Sequence, residues 1–221
     1  MPQLSSCNRW SGESHDRADP MRLILLRHGE TLWNTQKRLQ GHDDSPLSER
    51  GVAQAQAIAP SLRTLAPARV VSSDLGRARQ TARLVGYDDA ELEPRLRELD
   101  MGAWTGRAKD ELIASQPDDY AAWRAGRLTP AGGESWQQFT TRIRDALADW
   151  VGRGGGDLLA IVHSGVVRAA CNVLLGLAPH QILPVTPGTL TIFDFADGNA
   201  AAPRLEAYNL GAFTPDLDVA D

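Results

Sequence analysis

A chain of 221 residues with 42% hydrophobic and 23% charged side chains has the composition of an ordinary globular protein. Its formal net charge of −5 argues against a general nucleic-acid or membrane surface, so we expect neither partner. No apolar stretch is long enough to span a bilayer, and residues 1–20 lack the hydrophobic core of a signal peptide. These features favour a cytoplasmic location. We expect residues 1–20 to be a flexible N-terminal extension.

The first predicted strand is the apolar run at residues 23–26, which follows Met21 directly. A short apolar run of this kind is typical of a strand buried on both faces, as in the centre of a parallel sheet. The run stops abruptly at Arg27, His28 and Gly29. Because open α/β sheets bind ligands at the carboxyl ends of their strands, we expect this cation and imidazole to lie in a binding site.

Strands and helices alternate along the rest of the chain. Residues 32–44 show no sustained period and are expected to form a loop. Ser48 is predicted to cap a helix that runs to about residue 65, and residues 72–74 are predicted to cap a second helix that carries Arg77 in its first turn.

The later elements complete the pattern. We predict strands at 68–71, 158–162, 190–195 and 204–208, helices at 109–115, 118–125, 136–150 and 166–175, and a turn at 197–199. Strands alternating with helices predict an α/β fold with three layers, α/β/α, around a mostly parallel central sheet. The length fits a single domain over residues 21–221.

Five side chains in this arrangement suit phosphate chemistry. Two buried strands end in histidine, His28 and His163, and a strand–turn–helix unit presents Arg77; on a parallel sheet these would meet at one edge. The guanidinium groups of Arg27 and Arg77 match the geometry of phosphate oxygens. A neutral His28 would attack phosphorus as a nucleophile, and a carboxylic acid, for which Glu98 is the candidate, would protonate the leaving alcohol.

Each of these residues also has a purely structural interpretation. Arg77 could pair with Asp74 on a helix surface, where an ion pair contributes little to stability. Glu98 could pair with Arg95 or Arg97 and take no part in chemistry. The sequence alone does not decide between these interpretations.

The residues Arg27-His28-Gly29-Glu30-Thr31 resemble the signature of the histidine phosphatase superfamily, which includes the cofactor-dependent phosphoglycerate mutases. Further blocks at residues 39–48, 72–82, 95–104 and 161–165 resemble the other family blocks and occur in the family's order. Together they extend over the chain from residue 21 to about residue 195. The resemblance implies a phosphoglycerate mutase-like fold.

The resemblance also implies a role for each matched residue. His28 would be the nucleophile that becomes phosphorylated, and Glu98 would be the proton donor that later activates water. The phosphate-binding residues would be Arg27, Asn34, Gln40, Gly41, Arg77 and His163. No metal and no other cofactor is implied, and the sequence contains no metal-binding motif such as HExxH. One departure is Ser164, which replaces the glycine that commonly follows the second histidine.

The sequence after Glu98 resembles the phosphatase branch of the family more than the mutases. In the mutases, an Arg-His-Tyr-Gly block and a long basic insertion usually follow the matching glutamate. Here residues 99–135 form the expected substrate-specificity insertion, and acids accompany its cations Arg107, Lys109, Arg124 and Arg127. We therefore predict hydrolysis of a small phosphorylated metabolite. Two alternatives stay open: phosphoryl transfer of the mutase type, and a catalytically weak module that binds a phosphorylated ligand. A homodimer stays open as well.

Overall fold

One six-stranded sheet organises the chain, with the strand order β3-β2-β4-β1-β5-β6. The computed structural model describes residues 21–195 and 203–213. Its strands are β1 (Met21–Arg27), β2 (Arg69–Ser72), β3 (Glu91–Leu92), β4 (Leu158–Val162), β5 (Leu190–Phe195) and β6 (Arg204–Leu210). The pairs β1–β4, β4–β2 and β2–β3 are parallel, whereas β1–β5 and β5–β6 are antiparallel. The predicted mostly parallel sheet is confirmed.

Helices cover both faces of this sheet. They are α1 (Leu32–Thr35), α2 (Glu49–Leu65), α3 (Gly76–Leu84), α4 (Lys109–Ser115), α5 (Pro117–Arg124), α6 (Trp136–Gly152) and α7 (Ser164–Leu175). Short 3-10 turns lie at Pro94–Leu96, Gly102–Trp104 and Pro179–Gln181. Among the described residues, no helix is both long and apolar enough to cross a membrane.

The side chains of β1 alternate between two hydrophobic clusters, as expected for a strand covered on both faces. Ile24 and Leu26 pack in the cluster that contains the buried faces of α2 and α3. Leu23 and Leu25 pack in a second cluster with buried residues of α6 and α7. The predicted α/β/α layering is therefore confirmed, and the end of β1 lies deep between the layers.

The α2 helix begins as the sequence predicts. The Ser48 side chain accepts a hydrogen bond from the Gly51 N–H at 3.1 Å. On its face towards the sheet Ile58 is buried, whereas Val52 is only half-buried. A helical period of 3.6 residues aligns positions 51, 55, 58 and 62, and position 52 lies beside that line.

The predicted cap of α3 is wrong. No side chain of residues 72–74 caps this helix, which begins at Gly76 after Leu75. Instead, the Asp44 carboxylate accepts from the backbone N–H of Gly76 at 2.5 Å and of Arg77 at 3.3 Å. The cap comes from a loop far away in the chain, so local sequence does not reveal it.

Several further elements differ from the sequence predictions. The segment expected to be a loop after Thr31 contains α1, whose start is fixed by a reciprocal capping box between Thr31 and Asn34. Helix α7 begins two residues earlier than predicted, at Ser164. Strand β6 extends two residues beyond the predicted end at residue 208. The predicted extension at residues 1–20 and the predicted turn at 197–199 lie outside the described residues.

Candidate active site

His28 lies at the carboxyl end of β1, beside the end of the neighbouring strand β4. The register of these strands places Arg27 opposite Val162, and the His28 N–H donates to the Val162 carbonyl at 3.0 Å. His163 follows Val162 directly in the chain. The structure therefore brings the two histidines together, with 5.1 Å between their ring centroids.

The hydrogen bonds of His28 determine which nitrogen is able to act as a nucleophile. Its Nδ1 atom lies 2.8 Å from the Gly29 carbonyl, which only accepts, so Nδ1 carries the proton. The Nε2 atom keeps its lone pair and accepts from Nε of Arg77 at 3.3 Å. Burial, followed by the charges of Arg77 and Arg27, holds the pKa of His28 well below its usual range. The imidazole is therefore neutral at neutral pH.

Arg77 is a buried cation that is held by the loop before α2. Its Nη1 donates to the Asp43 carbonyl at 2.8 Å and to the Asp44 carboxylate at 2.9 Å. Its Nη2 donates to the Gly41 carbonyl at 2.8 Å. Burial lowers the pKa of Arg77, and the negative charges of Asp44 and Glu98 oppose that effect. The guanidinium is thus fixed in position beside the imidazole of His28.

His163 is fully buried next to the same cation. Its Nε2 lies 2.8 Å from the Ser73 hydroxyl, and its Nδ1 has no hydrogen-bond partner within residues 21–195 and 203–213. Burial lowers the pKa of His163 well below its usual range, and the charges of Arg77 and His28 act in the same direction. A neutral imidazole with an available nitrogen is suited to contact a phosphoryl oxygen.

The remaining predicted phosphate ligands differ in their contacts. Arg27 is 1% exposed and donates from Nη1 to the Val185 carbonyl. Asn34 uses its side-chain carbonyl to accept from Thr31 at 3.0 Å in the cap of α1. Gln40 is buried, and its Oε1 has no partner in the described part of the chain. Their contact with phosphate stays a prediction.

The side chain of Glu98 contacts the beginning of α7, the helix that follows His163. Its Oε1 accepts from the Leu99 N–H at 2.7 Å, and its Oε2 accepts from the Gly165 N–H at 3.0 Å. A Cβ atom at position 165 would lie 2.1 Å from Oε1 of Glu98, so only glycine leaves room for the carboxylate. Ser164, the residue that departs from the family pattern, is the first residue of α7 and is 3% exposed.

The purely structural pairings considered for Arg77 and Glu98 do not occur. Asp74 accepts a bidentate pair of hydrogen bonds from Arg97, at 2.7 and 2.5 Å. Arg95 donates to Glu93 instead, at 3.0 Å from Nε and 2.8 Å from Nη2. Both arginines that flank Glu98 in the sequence are therefore paired with other acids.

Several residues that support this site were missed by the sequence interpretation. Asp44 was assigned to a polar loop, Ser73 to a helix cap, and Arg142 had no assigned role. All three act across long sequence separations, so neither spacing nor periodicity reveals them. A weak signal exists for Gly165, which follows the second histidine closely and precedes an apolar helix.

The arrangement places the cations Arg27 and Arg77 around the neutral, buried imidazole of His28. The guanidinium groups of Arg27 and Arg77 are able to stabilise negative charge on phosphoryl oxygens, and the low dielectric of a buried site strengthens that effect. The negative charge of the Glu98 carboxylate interacts with the positive charge of Arg77. Among residues 21–195 and 203–213, no three His, Cys, Asp or Glu side chains cluster as a metal site.

Similar proteins of known sequence include enzymes named as mutases. "Probable phosphoglycerate mutase GpmB" of Enterobacter sp. (strain 638) is 38% identical over 169 residues, which cover 71% of this chain and 76% of that protein. The protein of the same name in Salmonella paratyphi C (strain RKS4594) is 35% identical with the same coverage.

Solved structures with the same fold are named as phosphatases. The mycobacterial glucosyl-3-phosphoglycerate phosphatase, solved with VO3, is 32% identical, has a TM-score of 0.78, and the match covers 86% of this chain and 99% of that one. A putative alpha-ribazole-5'-P phosphatase from Escherichia coli K-12 is 30% identical with a TM-score of 0.74, covering 86% and 96% of the two chains.

A sequence profile of the histidine phosphatase superfamily (branch 1) matches residues 23–209, which is most of the chain. This match includes every residue assigned to the site. It agrees with the resemblance found in the sequence blocks and with the fold shared with the solved structures. The chain belongs to the histidine phosphatase superfamily, branch 1.

Proposed function

We propose that this chain is a metal-independent phosphatase that hydrolyses a small phosphomonoester through a phosphohistidine on His28. The observation that carries the proposal is the state of the His28 imidazole. It is neutral, its proton is on Nδ1, and the lone pair of Nε2 faces the guanidinium of Arg77. A phosphoryl group bound by that guanidinium would meet the nucleophilic nitrogen directly.

In the first step, Nε2 of His28 attacks phosphorus and a bond between nitrogen and phosphorus forms. The bond between phosphorus and the ester oxygen breaks, and its electron pair goes to the leaving oxygen. The carboxylic acid form of Glu98 gives its proton to that oxygen, so the product leaves as an alcohol. Arg27 and Arg77 stabilise the charge on the phosphoryl oxygens during the transfer.

In the second step, Glu98 acts as a base. Its carboxylate takes a proton from water while the water oxygen attacks phosphorus. The bond between phosphorus and Nε2 of His28 breaks, which releases inorganic phosphate and restores the neutral imidazole. Both steps use His28 and Glu98. Glu98 donates a proton in the first step and accepts one in the second, so a single site carries out both steps.

A mutase is the second candidate, favoured by the names of the GpmB relatives. A mutase must retain a bisphosphate, which requires additional positive charge around the pocket. In the segment 99–135, Arg107 is already paired with Glu111 at 3.0 Å. The phosphatase names of the solved structures favour hydrolysis instead.

The first test is hydrolysis of p-nitrophenyl phosphate by the purified protein in EDTA. We expect turnover in wild type and a loss of at least about 10⁴-fold in His28→Ala, because the nucleophile is removed. His180→Ala, which changes an exposed histidine, is the matched control and retains full activity. Activity that persists in His28→Ala, or that EDTA removes, would contradict the proposal.

Two further measurements separate the alternatives. Incubation with 3-phosphoglycerate, with and without 2,3-bisphosphoglycerate, distinguishes a phosphatase, which releases inorganic phosphate, from a mutase, which forms the isomer. Quenching in alkaline denaturant during turnover should trap phosphate on wild type that is released again by acid, and none on His28→Ala. A catalytically weak binding module would give neither turnover nor trapped phosphate.

A further inference from the structure

Glu98 is carried by an irregular segment, not by a strand or a long helix. The segment runs from the end of β3 through the 3-10 turn at Pro94–Leu96, and α4 does not begin until Lys109. Such a segment has few backbone hydrogen bonds of its own to define where its side chains lie. Three of its carbonyl groups are instead bound by one side chain from α6.

That side chain is Arg142. Its Nη1 donates to the carbonyl of Arg95 at 2.7 Å and to that of Arg97 at 3.0 Å. Its Nη2 donates to the carbonyl of Glu98 itself at 3.3 Å, and Nε2 of His42 lies 3.0 Å from the same carbonyl. One planar group thus fixes the backbone immediately before and at the proposed proton donor.

The other edge of the same guanidinium is occupied by Glu134. The Glu134 carboxylate accepts from Nε of Arg142 at 2.9 Å and from Nη2 at 2.5 Å. A guanidinium has five N–H donors, and these contacts with three carbonyls and two carboxylate oxygens account for all five. The ring of Phe139 lies 5.0 Å from the guanidinium carbon, which further restricts its orientation.

Glu134 is itself attached to the segment that follows Glu98, because its backbone N–H donates to the Asp100 carbonyl at 3.0 Å. The carboxylate of Glu98 is held separately by the N–H groups of Leu99 and Gly165. Backbone and side chain of Glu98 are therefore fixed by two independent sets of contacts.

We propose that Arg142, oriented by Glu134, is a positioning residue for the proton donor Glu98. The inference rests on the proposed function, since it concerns the proton that Glu98 transfers. Arg142 has no contact with His28 in this structure and acts through the backbone of residues 95–98. Lysine would not replace it, because an ammonium is a compact charge that does not reproduce the planar fork.

The readout that distinguishes positioning from general support is the dependence on the leaving group. A p-nitrophenolate leaves without a proton, so formation of the phosphohistidine from its ester needs only the nucleophile and the phosphate ligands. This first step is reported by kcat/KM, whereas kcat also contains the second step, in which Glu98 activates water. The alkoxide of glycerol 2-phosphate needs the proton from Glu98. Displacement of Glu98 should therefore slow hydrolysis of the alkyl ester selectively, whereas loss of folded protein would slow both esters equally.

The experiment measures kcat/KM for both esters in wild type, Arg142→Met, Arg142→Lys and Glu134→Gln. For Arg142→Met we expect kcat/KM on glycerol 2-phosphate to fall about 10- to 100-fold, and kcat/KM on p-nitrophenyl phosphate to fall less than about 3-fold. Arg142→Lys should behave similarly, and Glu134→Gln should show the same selectivity with a smaller loss. Glu98→Gln gives the reference pattern, with the largest selective loss.

Arg144→Met is the matched control, because Arg144 lies on α6, is half-buried, and binds none of the carbonyls of residues 95–98; it should change neither rate. Equal losses on both esters in Arg142→Met and Glu134→Gln, or no loss on either, would overturn the inference while the proposed function stands. Failure of wild type to hydrolyse either ester would contradict the proposed function and the inference with it.

Discussion

The two halves of the site are built by different means. On the side of the proposed nucleophile (the nucleophile side), His28 and His163 follow directly from paired, buried strands, and backbone hydrogen bonds of the sheet define their positions. On the acid side, Glu98 lies on an irregular segment whose position depends on the side chain of Arg142 and on a glycine at residue 165.

This difference separates two ways of achieving a fixed geometry. The backbone position at a strand end is fixed by the hydrogen bonds of the central sheet, so mutations of single side chains leave that backbone in place. The position of an irregular segment is fixed only by particular side-chain contacts, and a single mutation can remove any of them. We therefore expect the nucleophile side to respond to loss of charge and the acid side to respond to small changes in shape.

Among the residues that surround His28 and Glu98, the largest effect is expected for Arg77→Met, on the nucleophile side. Loss of its charge beside the phosphoryl group should lower kcat/KM by about 10³-fold. Because the positive charge of Arg77 disfavours the imidazolium, its removal also raises the pKa of His28 towards the usual value. The acid limb of the pH profile of kcat/KM should move to higher pH.

Arg79→Met, at an exposed position of the same helix, is the control and should leave both the rate and the acid limb unchanged. A normal rate in Arg77→Met would show that the phosphate is bound elsewhere. An acid limb that stays in place would show that His28 is not the group that titrates.

The next largest effect is expected for Gly165→Ala, on the acid side. The new Cβ would lie 2.1 Å from Oε1 of Glu98, so the carboxylate has to move. A displacement of this size should lower kcat on an alkyl phosphate by about 10²-fold. Gly152→Ala is the control, since a Cβ atom at that position meets no atom within 4 Å. Equal rates in the two variants would contradict the assigned position of Glu98.

A smaller effect is expected for Asp44→Asn. The change weakens the 2.9 Å contact with Nη1 of Arg77 and the cap of α3, while the guanidinium keeps its bonds to two carbonyls. Loss of one charge-assisted hydrogen bond corresponds to about a 10-fold weaker interaction. We expect KM to rise by this factor and kcat to stay unchanged. Asp43→Asn is the control, because Asp43 contacts Arg77 only through its backbone carbonyl. A KM unchanged in Asp44→Asn would contradict this role.

The smallest effect concerns stability in acid. Hydrogen bonds from Arg95, with further ones from the backbone and Trp150, lower the pKa of Glu93 to about 2, although burial opposes them. A folded-state pKa below that of the unfolded chain gives a stabilisation that is complete near neutral pH and declines as pH falls towards 2. The Tm of Glu93→Gln should lie below that of wild type at pH 7, and the difference should shrink at pH 3. A difference that stays constant with pH would contradict the ionised state of Glu93.

The sequence predicts the nucleophile side well for a physical reason. A buried strand has a clear apolar pattern, and the residue at its end is placed by the sheet, so His28 and His163 are found by pattern alone. Glu98 was identified by chain order and family resemblance, since its irregular segment has no periodicity. The roles of Asp44 and Arg142 depend on contacts between distant parts of the chain, and no local pattern encodes them.

The pairing of β1 with β4 has a consequence for the order of folding events. The two histidines are brought together only when a strand near the start of the described chain meets one formed more than a hundred residues later. Helices are local and form early, whereas contacts between distant strands are slow to form because a long loop must close. During refolding, catalytic activity should therefore lag behind helix formation and report the assembly of the central sheet.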